Sequence, residues 1–230
     1  MSPPPFTRHG LRAGAIGAIP LMPTTAVYAL AFGVMAQAAG LTAPEAALLS
    51  GWVFAGGAQM ASLQAWDTPV PILAVCLTTL AMNARYVLLS AALRPWFQGL
   101  PAHQSYGSLF VLGDGNWAIA MREREAGHID AAYLMGSGAI LWFIWVPMTA
   151  AGHLFGQVLG DPSRFGVDFI LAAFFATLAV TFFHGAVSIL PLLVAGVAAV
   201  VVGHLVEGPW YIFIGALAGS LAGALRVDPS

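Results

Sequence analysis

The sequence predicts an all-α fold, a polytopic integral membrane helical bundle of seven or eight spans, some of them discontinuous. Of its 230 residues, 59% are hydrophobic and only 8% are charged, whereas soluble domains carry about one quarter charged residues. The mean hydropathy is +0.83. The apolar residues also fall in successive segments close to the ~20 residues that cross a ~30 Å hydrocarbon core. These observations place the chain in a lipid bilayer.

The composition excludes several classes of function. The chain has no lysine, eight arginines and a net charge of -2, so it offers no basic surface for nucleic acid. Without lysine it has no P-loop, which excludes ATP-driven transport by this chain alone. Its histidines form no HExxH-type pair, and one cysteine, Cys76, makes neither a disulfide framework nor a CxxC site. We expect no enzyme, no cofactor and no metal site.

The chain divides into a cytoplasmic tail (1–11), a single transmembrane transporter domain (12–226) and a C-terminal tail (227–230). The first segment contains three successive prolines and lacks an apolar core before Leu11. It therefore does not resemble a secretory signal.

The first predicted span, about 12–39, contains Pro20 and Pro23, followed by Thr24 and Thr25. Proline inside a helix removes a donor and clashes with the preceding turn. In a membrane such a break survives only where protein groups or water satisfy the freed carbonyls. The segment is either a kinked packing helix or an unwound stretch that lines a binding site.

The second predicted span, about 46–65, begins after Thr42-Ala-Pro-Glu45, a capping-box pattern that starts a helix. Its interior carries Gly56, Gly57 and Gln59. Glycines in membrane helices commonly form a packing face. The alternative is a break that faces substrate.

The third predicted span, about 70–93, carries Asn83, Arg85 and Tyr86. An arginine at bilayer depth costs from about 2.5 kcal/mol on insertion scales to more than ~10 kcal/mol in simulations. Arg85 therefore needs a partner. It forms a buried pair with Asp114, contacts an anionic group of a substrate, or extends to the interface.

The fourth predicted span, about 106–121, is interrupted by Gly113-Asp-Gly-Asn116 and is either broken or re-entrant. The remaining predicted spans are about 131–153, 167–183, 186–202 and 210–224. Asp168 and His184 lie near the two ends of the span at 167–183, where solvated, capping and proton-relay roles all stay open.

Isolated polar groups within these spans are candidates for a transport pathway, because such groups usually face the bundle interior. Transporters often build midplane sites from discontinuous helices whose N-termini point at anionic groups. The candidate substrate-binding residues are Thr24, Thr25, Gly56, Gly57, Gln59, Asn83, Arg85, Tyr86, Asp114 and Asn116. The candidates for proton coupling are Asp114, Asp168 and His184.

The arginines predict the orientation, because cytoplasmic loops are enriched in positive charge. With a cytoplasmic N-terminus and eight spans, Arg94 and Arg164 fall outside. The arginines then expected in the cytoplasm are Arg8, Arg12, Arg122, Arg124 and Arg226.

Several segments resemble the AzlC family of branched-chain amino acid permeases. They are Gly10-Leu-Arg-Ala-Gly14 with Pro20, Phe32-Gly33, Gly40-Leu41, Ser50, Phe54-Ala-Gly-Gly-Ala-Gln59, Met82-Asn-Ala-Arg-Tyr-Val-Leu-Leu-Ser90 and Gly166-Val-Asp168-Phe169. The resemblance implies the large subunit of an exporter in the bacterial cytoplasmic membrane, with a small hydrophobic AzlD-like membrane subunit as partner. It also implies efflux of valine, leucine, isoleucine or similar small neutral amino acids.

This chain departs from the family pattern at two places. Tyr86 stands where the family usually has histidine, and Gly113-Asp-Gly-Asn116 replaces a more acidic stretch. Two alternatives to an amino acid exporter stay open. One is a transporter of another small zwitterion or organic anion, and the other is a non-transporting membrane assembly subunit.

Overall fold

The computed structural model describes residues 4–64, 66, 69–128, 130–159, 169, 176, 180, 183, 185–206 and 210–225. Predicted residues Asp168 and His184 lie outside these ranges. Within them all regular structure is helical, which confirms the predicted all-α bundle. Its predicted second and fourth spans do not cross the bundle, so they do not count among the seven or eight predicted spans. The helices are α1 (Arg8–Gly17), α2 (Met22–Ala38), α3 (Ala43–Trp52), α4 (Gly56–Gln64), α5 (Ile72–Asn83), α6 (Arg85–Phe97), α7 (Ala102–Phe110), α8 (Asp114–Glu125), α9 (Ala132–Leu159), α10 (Ala186–Leu205) and α11 (Trp210–Ala224).

Four helical segments in the described ranges are long and apolar enough to cross a membrane. They are α1 with α2, α5 with α6, α9, and α10; α11 is a shorter apolar helix. Leu73, Leu193 and Val197 are at least 60% exposed on these helices. An apolar outer surface of this kind suits contact with lipid, so the predicted membrane protein is confirmed.

The first span is discontinuous at the predicted prolines. A 3₁₀ turn, Ile19–Leu21, carries Pro20 and joins α1 to α2. Pro23 falls in the first turn of α2, where its missing N–H leaves no intrahelical bond unmade. The break therefore costs little helical hydrogen bonding.

Glycines bring the first span into backbone contact with α9. A Cβ at Gly33 would overlap the carbonyl oxygen of Thr149, and one at Gly152 would overlap that of Leu30. Small residues allow this approach in membranes, where van der Waals packing drives helix association. Gly14 and Gly136 make the equivalent contacts with Tyr133 and Leu11. The two spans therefore run parallel.

The predicted second span is a hairpin of two short helices, α3 and α4. Gln59 Nε2 donates to Ser50 Oγ at 3.3 Å, although a straight helix would separate these residues by roughly 13 Å. Leu41, before α3, and Leu63, at the end of α4, belong to one buried cluster. The chain thus enters the bundle, turns at Val53 to Ala55, and returns to the end from which it came.

A capping box confirms the predicted start of α3. The backbone N–H of Thr42 donates to Glu45 Oε2 at 2.8 Å, and Glu45 N–H donates back to Thr42 Oγ1. The hydrogen bonds from the Thr42 backbone and hydroxyl lower the pKa of Glu45. The negative charge is therefore favoured at this helix N-terminus.

A second hairpin, α7 and α8, confirms the re-entrant alternative for the fourth span. Asn116 Nδ2 lies 3.5 Å from the Leu134 carbonyl of α9. A Cβ at Gly107 would touch Met135, the next residue of α9. Residues 107 and 116 would be roughly 13 Å apart in a straight helix. The two hairpins enter the bundle from opposite ends.

The two hairpins change the predicted position of Arg94. We call the end where α1 begins the N-terminal end; there Thr7 binds Asp130, before α9. Arg124 Nη1 donates to the Ala92 carbonyl at 3.4 Å, so α6 also finishes at this end. The placement of Arg94 opposite the N-terminus is wrong, because neither hairpin crosses the bundle. The described arginines at the N-terminal end are Arg8, Arg12, Arg94, Arg122 and Arg124.

We expect Gly152→Ala to destabilise the protein, because the new methyl group would meet the backbone of α2. Overpacking of this kind costs roughly 1–3 kcal/mol, which for a chain of this size lowers Tm by several degrees. Thermal unfolding in detergent measures the change.

The control is Gly196→Ala on α10, where a Cβ would have no heavy atom within 4 Å. This variant should match or slightly exceed the wild-type Tm, because alanine favours helix. Equal Tm values for the two variants would contradict the close contact of α2 and α9.

Candidate functional site

The breaks in the helices surround one cavity of about 430 Å³. This volume lies toward the lower end of the ~300–1,000 Å³ found for ligand pockets. The lining comes from the first span, the tips of both hairpins, the start of α6, and α9. The lining residues are Leu21, Thr24, Thr25, Tyr28, Phe54, Gly56, Tyr86, Gly113, Asp114, Gly115, Asn116, Trp117, Ala118, Ile119, Arg122, Leu141 and Trp145.

The cavity lies at the middle of the spans that surround it. Arg85, which binds a lining residue, is near the centre of the 26-residue segment Ile72–Phe97. Trp145 is near the centre of Ala132–Val158, and the tips of both hairpins meet these residues. Midplane sites between discontinuous helices are characteristic of secondary transporters.

Arg85 and Asp114 form an ion pair beside the cavity. Arg85 Nη2 donates to Asp114 Oδ2 at 2.8 Å, and the two side chains are 25% and 19% exposed. The guanidinium also lies 5.2 Å from the centre of the Tyr86 ring, within range of a cation–π contact. The structural alternative for Arg85, a pair with Asp114, is therefore present in the fold.

The pair leaves polar atoms without partners. Arg85 Nε, Asp114 Oδ1 and Asn83 Oδ1 are buried and form no hydrogen bond with the described residues. An unsatisfied buried group costs about 1–3 kcal/mol, and more when it is charged. Of the three residues, Asp114 lines the cavity, so its free acceptor belongs to the cavity wall.

Two helices begin at the cavity. Gly56 is the first residue of α4 and Asp114 the first of α8, and both line the cavity. The first turn of a helix has N–H groups without intrahelical acceptors and carries a partial positive charge. Each hairpin tip therefore presents a helix N-terminus that favours a negative charge nearby. At α8 the carboxylate of Asp114 supplies that charge.

The tip of the first hairpin is bound to α9 through buried polar side chains. Trp145 Nε1 donates to Gln59 Oε1 at 3.1 Å, and Gln59 in turn donates to Ser50. Ser50 Oγ lies 2.8 Å from Thr149 Oγ1 of α9. A Cβ at Gly56 would come within 2.5 Å of the Trp145 ring. Glycine is thus required where the hairpin meets the cavity wall.

Asn116 organises the tip of the second hairpin. Its Oδ1 accepts from the Gly113 N–H at 2.6 Å, and its Nδ2 donates to the Val111 carbonyl at 3.0 Å. The side chain is 1% exposed. Its amide therefore replaces the hydrogen bonds that the chain loses between α7 and α8.

The structure brings most of the predicted substrate-binding residues together. Gly57, Gln59, Asn83 and Arg85 do not line the cavity; Gln59 supports its wall, and Arg85 lies behind Asp114. The predicted residues that line it are Thr24, Thr25, Gly56, Tyr86, Asp114 and Asn116. Among the described residues no group of His, Cys, Asp and Glu is arranged to hold a metal ion.

The sequence reasoning missed several lining residues, including Tyr28, Trp145 and Arg122. Helical spacing contains a signal for two of them. Tyr28 lies four residues after Thr24, and Arg122 lies eight after Asp114, so each shares a helix face with a predicted residue. Trp145 has no such signal, because contact between α4 and α9 brings it to the cavity.

We expect Arg85→Gln and Asp114→Asn each to destabilise the fold, because each leaves one charge unpaired. The loss should be smaller than the roughly 3–5 kcal/mol of a fully buried pair, since the side chains are 25% and 19% exposed. The double variant should lose less than the sum of the single losses. Thermal unfolding of the four proteins in detergent measures this coupling, and strictly additive losses would contradict it.

Comparison with known proteins supports the same class of protein. A family model described as AzlC protein matches residues 20–159, which is more than half of the chain. A protein of Archaeoglobus fulgidus named "Uncharacterized membrane protein" is 27% identical over 148 residues, 64% of this chain. The chain spans 64% of that relative's length. No solved structure matches the chain.

The matched segment contains α2, both hairpins, α5, α6 and α9, and therefore all residues that line the cavity. It includes the segments at Phe54 and Met82 that carry the resemblance seen in the sequence. That resemblance is confirmed. The chain belongs to the AzlC family, a membrane transport family generally associated with branched-chain amino acids.

Proposed function

We propose that this chain is the large subunit of a secondary transporter that exports branched-chain or similar small neutral amino acids. The observation that carries the proposal is the midplane cavity, with the Arg85–Asp114 pair beside it and two helix N-termini at its wall. A zwitterion needs groups of both signs close together, and the cavity has both.

The cavity offers a partner for each part of such a substrate. The carboxylate would bind the N–H groups at Gly56, or the guanidinium of Arg85 when Asp114 releases it, because guanidinium groups and helix N-termini both favour carboxylates. The ammonium would donate to the carboxylate of Asp114, which lines the cavity and has an unpaired Oδ1.

The rest of the lining suits an aliphatic side chain. Leu21, Phe54, Ile119, Leu141 and Trp145 are apolar residues of the cavity wall. An apolar pocket separates substrates that differ by one methylene by only about 1–3 kcal/mol. The proposed transporter therefore accepts several aliphatic amino acids.

Asp114 is the proposed proton-coupling residue among the described residues. Its carboxylate faces the cavity and holds Arg85. Protonation of Asp114 would release the guanidinium, and binding of an ammonium would compete for the same carboxylate. Substrate and proton thus compete for a single carboxylate, as exchange of one for the other requires.

The arginines support a cytoplasmic N-terminal end, in a bacterial cytoplasmic membrane. Arg8, Arg12, Arg94, Arg122 and Arg124 lie at this end of the described structure, and short cytoplasmic segments are rich in arginine. The proposed partner is a small hydrophobic AzlD-like membrane subunit, on the basis of the family resemblance.

Dipeptide-fed efflux tests the export function. Cells that express the chain with its small subunit are loaded with a valine-containing peptide, and external valine is followed over time. We expect valine to appear outside faster than from cells without the chain, and expression without the small subunit should reduce the rate.

The control is Arg85→Gln together with Asp114→Asn, a double variant that keeps the pair uncharged and the fold largely intact. It should reach the membrane and release valine no faster than empty cells. If it exports at the wild-type rate, the pair has only a structural role. If the wild-type proteins are in the membrane without added efflux, the export function is rejected.

A further inference from the structure

We propose that Arg122 attracts the carboxylate of the substrate at the mouth of the cavity and makes the transporter selective for ligands that carry one. The inference rests on the proposed function and adds a specificity-determining residue to its site. The proposal also means that, in this conformation, substrate enters the cavity from the N-terminal end of the bundle.

Arg122 lies between the ion pair and the N-terminal end. It follows Asp114 by eight residues of α8, which corresponds to about 12 Å along the helix. The α8 helix leads from the midplane to the N-terminal end, and the hydrocarbon core extends ~15 Å on either side of the midplane. Arg122 lines the cavity and is exposed. The cavity thus continues from the midplane to this guanidinium.

The charges around the cavity favour an anionic group. Arg85 neutralises Asp114, whereas the guanidinium of Arg122 makes no hydrogen bond or ion pair with the described residues. Its neighbour Glu123 binds His128 and does not pair with Arg122. The two arginines and one aspartate together give the cavity a net positive charge. A cleft of one charge sign with apolar walls raises the local concentration of ligands of opposite charge.

Arg124 provides the contrast that separates this role from a general effect of charge. Both arginines lie in the last turn of α8, where the helix dipole favours cations equally for both. Arg124 donates to the Ala92 carbonyl of α6 and does not line the cavity. Substitution of either residue removes the same charge from the same end of the bundle. Only Arg122 faces the path of a ligand.

Substitution of Arg122 should change the KM for the transported amino acid and the dependence of that KM on salt. Arg122 is about 12 Å from Asp114 along α8, so it acts on the approach of the substrate and not on the midplane site. A branched-chain amino acid has no net charge, so the guanidinium acts on it through a charge-assisted contact with its carboxylate, and loss of such a contact should raise KM about tenfold. Salt screens exposed charges over roughly 10 Å at 0.1 M. The wild-type KM should therefore rise with salt.

Inside-out membrane vesicles test the inference with the chain and its small subunit present. Their outer face is the cytoplasmic face, so export is measured as uptake of labelled valine at controlled salt. We expect Arg122→Gln to raise KM about tenfold at low salt, with little change in maximal rate and with the salt dependence lost. Arg124→Gln should keep the wild-type KM and salt dependence. Arg122→Lys should retain most of both.

A binding measurement on the purified chain keeps the inference testable without transport. Isovalerate, which carries a carboxylate, should raise Tm more than its uncharged amide at equal ionic strength. The difference should disappear in Arg122→Gln and persist in Arg124→Gln.

The outcomes separate the two proposals. Equal KM values and equal salt dependence for the two glutamine variants overturn the role of Arg122 while export stands. Absence of valine uptake, together with a carboxylate-dependent Tm shift that Arg122→Gln removes and Arg124→Gln keeps, rejects the proposed substrate and supports Arg122. Absence of valine uptake and of the carboxylate-dependent Tm shift overturns both proposals.

Discussion

The close contact of α9 with the first span supports the other parts of the described bundle. Gly33 and Gly152 bring the two backbones together, and the two spans become one parallel unit. The α9 helix then offers Trp145 and Thr149 to the first hairpin and the Leu134 carbonyl to the second. Neither hairpin is long enough to cross a bilayer, so each depends on this unit for its position.

The second constraint is the absence of water in hydrocarbon. A backbone that leaves the helix in a membrane must find hydrogen bonds within the protein. Asn116 provides them at one hairpin tip, and Gln59 anchors the other to α9. Two residues that the sequence suggested as substrate ligands thus hold the breaks in place. Their amides are already engaged when the cavity forms.

These two constraints explain why the charged pair lies where it does. The hairpin formed by α7 and α8 places Asp114 at the midplane, opposite the centre of the span that contains Arg85. Each residue alone would be costly at this depth, and together they remove most of that cost. Arg85 Nε, Asp114 Oδ1 and Asn83 Oδ1 have no hydrogen-bond partner among the described residues. The structure shows the pair as a structural contact, and the proposed substrate would compete for it.

Local sequence is enough to predict the helical membrane class, the positions of the three breaks, the capping box at Thr42 and the family. These depend on local composition and spacing: long apolar segments, prolines inside a helix, and a glycine pair need no tertiary contact to be recognised. The path of the two hairpins was decided only by the tertiary structure. A short apolar helix has the same composition whether it continues across the bilayer or turns back, and contacts such as Gln59 with Ser50 decide between these. For the same reason the side of Arg94 was wrongly predicted, because it depends on the direction in which a hairpin returns.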